Sequence, residues 1–284
     1  MPRSLGTMPL MKRARALALA CHPIPTVAVT LLGSGVAALA GLPLGRGALV
    51  TLAIFTGQLS IGWSNDYLDA ERDRSVNRTD KPLAIGAMAA PVVGIAAVVA
   101  LVLTTALSAA LGWFGGIAAL IIVVCGWAYN LGLKGTWLSW APYAIAFGML
   151  PAVATLSAIP PRWPQPWALA AGALLGVAAH LANVLPDLKD DVATGIRALP
   201  HRIGARATAL SAAVILLGAS TVMVFGPEGD PNAWHWAAFG AAAIVATAAV
   251  RLAIRDASSN LIFLAMLIVA LIDLATFAIA GDRL

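Results

Sequence analysis

NDYLDAERDRSVNRTDKPLAIG, residues 65–86, is a charged stretch in an otherwise oily chain, and NVLPDLKDDVATGIRALPHRIG, residues 183–204, repeats its punctuation. Asn65, Asp69 and Asp73 recur as Asn183, Asp187 and Asp191, each 118 positions later, and the same offset carries Pro82 to Pro200 and Gly86 to Gly204. Matches at one constant offset read as an internal duplication. Residues four apart share a helix face, so each half should offer an amide and two carboxylates along one edge. Two such ladders facing each other make a hard-oxygen site suited to a divalent cation and, through it, to phosphate.

Composition says where the ladders sit. With 60% hydrophobic and 11% charged residues in 284, the chain reads as a polytopic membrane protein. Apolar segments near the ~20-residue spanning length fall at 23–40, 48–68, 88–107, 112–129, 138–158, 167–184, 207–225, 234–252 and 260–280. Nine transmembrane helices are expected, the fifth staying one span despite Pro142 and Pro151, because neighbours satisfy the carbonyls that proline frees.

Charge orients the bundle. Placing the 18 Lys and Arg in alternating loops puts 15 on one side and only Arg46, Arg162 and Arg283 on the other. Under the positive-inside rule the N-terminus and both acidic loops face the cytoplasm and the C-terminus faces outward, in a multi-pass cell-membrane protein. The net charge of +5 is then a topology signal with some anionic-lipid contact, and nucleic-acid binding is not implied. The basic N-terminus reads as leading into a retained first span rather than a cleaved signal peptide, since Pro23 and Pro25 follow Cys21 closely. Cys21 and Cys125 suggest neither a disulfide nor a thiolate metal site.

Both loops mix acids with bases. Asp66, Asp69 and Asp73 stand among Arg72, Arg74, Arg78 and Lys81, while Asp187, Asp190 and Asp191 stand among Lys189, Arg197 and Arg202. Headgroup anchoring would need the bases alone; metal and phosphate together need both. At these residues the chain resembles the UbiA superfamily of membrane prenyltransferases. Its first motif, NDxxDxxxD, is matched by Asn65, Asp66, Asp69 and Asp73, and its second by Asp187, Asp191, Gly195, Leu199-Pro200 and Gly204. Tyr129-Asn130-Leu131-Gly132-Leu133-Lys134 is similar to the family's Tyr…Leu-Lys segment. The likeness in order and spacing covers almost the whole chain.

The resemblance implies an all-α membrane fold, a nine-helix bundle with an internal duplication and a central cavity opening to the cytoplasmic side, as one domain over 1–284. It implies Mg2+-dependent transfer of a polyprenyl group from an isoprenyl diphosphate to a small acceptor of the aromatic, quinone-precursor type. Asn65, Asp69, Asp73, Asp187 and Asp191 are then the metal residues, the four aspartates being catalytic, with Asn65, Arg78, Lys134, Asn183 and Arg197 at the diphosphate. Ionising an allylic C–O bond requires stabilising the leaving diphosphate, which metal ions and cationic side chains do. A bilayer-embedded cavity excludes water from the allylic cation. Where many members begin the first helix with Arg-Pro, this chain has His22-Pro23.

His180 lies on the face of the second ladder, about a turn deeper, and is weighed with Tyr129 as an acceptor contact against a packing role. Gln58 is the comparable residue before Asn65, and Asp273 is a carboxylate inside the ninth segment. Most Trp residues sit near span ends as interfacial anchors, while Trp63 and Trp127 lie close enough to the motifs for cation–π contact with an allylic cation. A non-aromatic acceptor, a terpene-cyclase activity and, in another class, a transporter are the competing readings; transporter sites lie near the bilayer midplane, whereas these acids lie at helix ends.

Overall fold

The computed structural model describes residues 10–193 and 195–255, with isolated positions between 261 and 275. The helices in chain order are α1 Leu10–Ala20, α2 Pro23–Leu39, α3 Leu44–Ser75, α4 Ala90–Ala110, α5 Trp113–Leu131, α6 Ala141–Leu156, α7 Pro166–Val184, α8 Leu188–Ala193, α9 Leu199–Ile203, α10 Ala205–Phe225 and α11 Ala233–Arg255. No strand occurs among the described residues.

The 118-residue offset extends from the motifs to the helices. Shifted by it, α2 becomes 141–157, against the observed Ala141–Leu156; α4 becomes 208–228, against Ala205–Phe225; and α5 becomes 231–249, against Ala233–Arg255. Shifted α3 spans 162–193, of which 166–193 is covered by α7, a 3-10 turn at Leu185–Asp187 and α8. Here the second half departs from the expected ladder. Position 68 is Leu in α3, whereas its counterpart is Pro186, which lacks the N–H a continuous helix needs and sits in the middle of the 3-10 turn. Asn65, Asp69 and Asp73 therefore share one uninterrupted helix, while Asn183, Asp187 and Asp191 sit on three successive elements.

Six helices among the described residues are long and apolar enough to cross a bilayer, or seven if α1 and α2 form one span bent by 65°, rather than the nine expected. The bend has a local cause. Pro23 restricts the residue before it, and His22 takes a left-handed conformation at φ 56°, ψ 70°. α6 is a shorter apolar helix, running unbroken through Pro151. The ninth apolar segment lies largely outside the described residues, as does Asp273.

Small residues set the packing. From α2 to α7 each helix packs on its sequence neighbour, as α10 does on α11, and α7 packs on α10 past the short α8 and α9. A Cβ at Gly176 would stand 2.2 Å from the Tyr143 carbonyl oxygen and one at Gly172 2.6 Å from that of Phe147, so α6 and α7 meet backbone to backbone. Pro151 has no N–H to donate to Phe147 four residues earlier, and Gly172 lies against that carbonyl. At the end of the bundle away from the motifs, Arg46 donates to the Ser157 carbonyl at 2.5 Å and the Leu111 carbonyl at 2.7 Å, and Arg162 donates to that of Ala40. These cations satisfy the C-terminal carbonyls of α6, α4 and α2.

Candidate active site

The charged ends of α3 and α7 close around a cavity of about 330 Å³. Asn65, Asp69 and Asp73 of α3 line it from one side and Asn183, Asp187 and Asp191 from the other, so the break at Pro186 does not carry the second triplet away. Its deeper wall is apolar, with Val29, Leu32, Ile122, Ala146, Phe147 and Leu175. One end of the cavity is thus suited to charge and the other to hydrocarbon.

The acids are held by the chain's own bases. Asp69 accepts from Arg72 at 2.9 Å and from Lys134, which the 3-10 turn after α5 delivers. Arg78, on the loop after α3, donates to Asp187 and to Asp80, each at 2.8 Å. His201 Nε2 lies 3.3 Å from Asp191. Burial pulls the Lys134 ammonium below its ordinary value, against the pull of Asp69, and pushes the Asp191 carboxyl up. Hydrogen bonding to Arg78 holds Asp80 down at about 2.

An amide network fixes Asn65. Its Nδ2 donates to Asn130 Oδ1 at 3.1 Å, and Asn130, itself 5% exposed, donates to Ser64 Oγ at 2.8 Å and the Ile61 carbonyl at 2.9 Å. Tyr129 and Tyr143 line the cavity between its charged and apolar ends, with ring centroids 5.2 Å apart, edge to face. His180 is fully buried behind them, 5.8 Å from the Tyr129 ring and 5.0 Å from that of Tyr143, with Nε2 hydrogen-bonded to Ser139 at 3.0 Å. It is absent from the cavity wall, so the structure seats it behind the aromatic pair.

The other expected residues divide. Arg78, Lys134 and Gln58 line the cavity. Arg197 is exposed on the segment before α9 and lies outside the cavity wall, its carbonyl accepting from Arg202 at 3.1 Å. Asp66 also leaves the wall: it is 1% exposed and bonds to Lys81 and His22. The two Trp residues near the motifs use their indole N–H groups between helices, Trp63 to the Leu17 carbonyl at 2.9 Å and Trp127 to Ser60 Oγ at 3.0 Å, and neither lines the cavity. Asn130, Tyr143 and His201 were not singled out by sequence. Asn130 and His201 fall inside the quoted motifs, but Tyr143 carries no local signal, because only α6 packing on α5 brings it to Tyr129.

Hard oxygen donors in this number suit Mg2+. Among the described residues no three acidic, His or Cys side chains converge into a closed cage. That fits a cation which takes one or two carboxylates from protein and completes its shell with phosphate and water.

The UbiA prenyltransferase family model matches residues 26–278. The chain is 34% identical over 185 residues to protoheme IX farnesyltransferase 1 of Paramagnetospirillum magneticum, a match covering 61% of this chain and 64% of that relative's length. A UbiA homolog from Archaeoglobus fulgidus, bound to GPP and Mg2+, superposes with a TM-score of 0.73 at 16% identity, over 93% of this chain and 99% of that one. The apo structure of a UbiA homolog from Aeropyrum pernix K1 superposes with a TM-score of 0.75 at 16% identity, over 90% and 97%. The chain belongs to the UbiA prenyltransferase family.

Proposed function

We propose that this family member transfers a polyprenyl group from an isoprenyl diphosphate to a small acceptor, releasing diphosphate, with Mg2+ as cofactor. The carrying observation is the two-ended cavity, acids and bases at its mouth and apolar side chains beneath. Arg78, Lys134 and Arg72 are the bases that meet the diphosphate, exchanging their present carboxylate partners for phosphate oxygens. Asp69, Asp73, Asp187 and Asp191, with Asn65, would hold Mg2+, one or two carboxylates to each ion, and Asn183 would meet the diphosphate; when bound, Mg2+ supplies positive charge to the leaving group. Asn130 keeps the Asn65 amide turned toward that end. The apolar wall receives the isoprenoid tail and keeps water from the allylic carbon. The rings of Tyr129 and Tyr143 flank the space between, where the acceptor approaches.

An aromatic, quinone-type acceptor is the reading the resemblance implies. The 34% identity to a protoheme IX farnesyltransferase supports a second, protohaem. The 15-to-3 distribution of basic residues supports a cytoplasmic cavity mouth, an outward C-terminus and a ninth span within 260–280, in a single domain.

The test uses the full chain in lipid nanodiscs with Mg2+, a C10-to-C50 series of prenyl diphosphates, and quinone precursors and protohaem as acceptors. Diphosphate release and the mass of the lipid product are measured. Asp69→Asn and Asp187→Asn keep shape but remove charge, and each is expected to lower turnover about a hundredfold, the scale of losing one preorganised charge contact. Retention of most activity in both variants would overturn the shared metal–diphosphate site.

A further inference from the structure

We propose that Asp66 is a positioning residue whose buried carboxylate holds Lys81 and His22 at the cavity wall, presenting an ammonium and an imidazole to the phosphate end of the donor. The inference rests on the prenyl-transfer reading above. Asp66 belongs to the first motif by sequence but not by position. It lies about 100° around α3 from Asn65, 1% exposed, and outside the cavity wall. Its Oδ1 accepts from Lys81 Nζ at 2.6 Å and lies 2.9 Å from His22 Nε2, and those two nitrogens are 2.9 Å apart. Oδ2 has no hydrogen-bond partner among the described residues. Lys81 and His22 both line the cavity.

A buried carboxylate without partners is strongly destabilising, so Asp66 forces its two partners into place. Both come from segments that the helix ladder leaves unfixed: His22 from the left-handed junction of α1 and α2, Lys81 from the loop between α3 and α4 that also carries Arg78. The internal duplication supplies a control. In the second half, positions 118 later than His22, Asp66 and Lys81 are Trp140, Val184 and Leu199, all apolar. The fold repeats without this polar triad, so its architecture does not require the triad, and the cavity is the feature the triad borders. The assignment also accounts for His22-Pro23 at the first helix: the imidazole is oriented from α3 and serves phosphate together with Lys81.

The experiment measures inorganic pyrophosphate binding in the presence of Mg2+ by calorimetry, and the Michaelis constants of both substrates. Asp66→Asn and Lys81→Met are each expected to weaken pyrophosphate binding about tenfold and to raise the prenyl diphosphate KM alike with the acceptor KM unchanged, the scale of one charge-assisted hydrogen bond. The double variant should lose clearly less than the product of the two single losses, exceeding Lys81→Met only by the share that His22 carries, because Asp66 acts through these two partners, and Asp66→Glu should restore part of the loss. Lower thermal stability with unchanged pyrophosphate affinity, or effects that simply add, would overturn the proposal. Should Asp66→Asn fail to fold, Lys81→Met and His22→Gln carry the test, and unchanged affinity in both overturns it. Wild-type protein that binds pyrophosphate but prenylates nothing sinks the transfer reading instead.

Discussion

Arg78 and Asp187, 109 positions apart, are joined by a 2.8 Å hydrogen bond across the mouth of the cavity. The bond ties the loop after the first acidic motif to the turn that carries the second. Arg78 also grips Asp80 through two hydrogen bonds of 2.8 Å, so its guanidinium is held by carboxylates on both sides. In the proposed function, Arg78 exchanges these carboxylates for diphosphate oxygens.

Arg78→Gln is expected to lower kcat/KM for the prenyl diphosphate ten- to a hundredfold, the loss of a charge-assisted contact worth about 1.5–3 kcal/mol. Stability should barely move, because Asp187 is 42% and Asp80 60% exposed and such pairs contribute little to folding. Steady-state kinetics and thermal unfolding of the same sample measure both. A fall in stability with unchanged kinetics would make Arg78 a structural latch only.

His180→Ala is expected to act on packing. The side chain is fully buried, bonded to Ser139 and set against Tyr129 and Tyr143, so truncation leaves a void that costs about 2–4 kcal/mol. A lower unfolding temperature with near-normal Michaelis constants for both substrates is the outcome foreseen. A raised acceptor KM at unchanged stability would give His180 a direct role in acceptor binding.

Both acidic loops are expected to face the cytoplasm. Ser75 ends α3 and is exposed, so Ser75→Cys, in a chain with Cys21 and Cys125 replaced by Ala, should resist a membrane-impermeant thiol reagent in intact cells and react after permeabilisation. Labelling from outside would reverse the topology.

Much of the site was legible in sequence because its information is periodic. Asn65, Asp69 and Asp73 are four apart on one helix and do share a wall of the cavity. Spacing alone could not say that Asp66, one residue on, turns away to Lys81 and His22, since that depends on where α1 breaks and how the loop after α3 returns. Nor could it show that Pro186 would split the second ladder while leaving its three residues in the cavity. Arg197 looks equivalent to Arg78 as a base near an acidic motif, yet one bridges the mouth and the other is exposed.

The sequence by itself determined the helical membrane class, the duplication and the identity of the charged residues, because hydropathy and side-chain spacing are local properties that every packing must satisfy. Only the tertiary structure decided which acids face the cavity, which bases pair with them, and that Tyr129 and Tyr143 meet in front of His180. Those contacts join residues far apart in the chain, and helix rotation, the bend at His22 and the close approach allowed by Gly172 and Gly176 fix them only once all the helices are packed together.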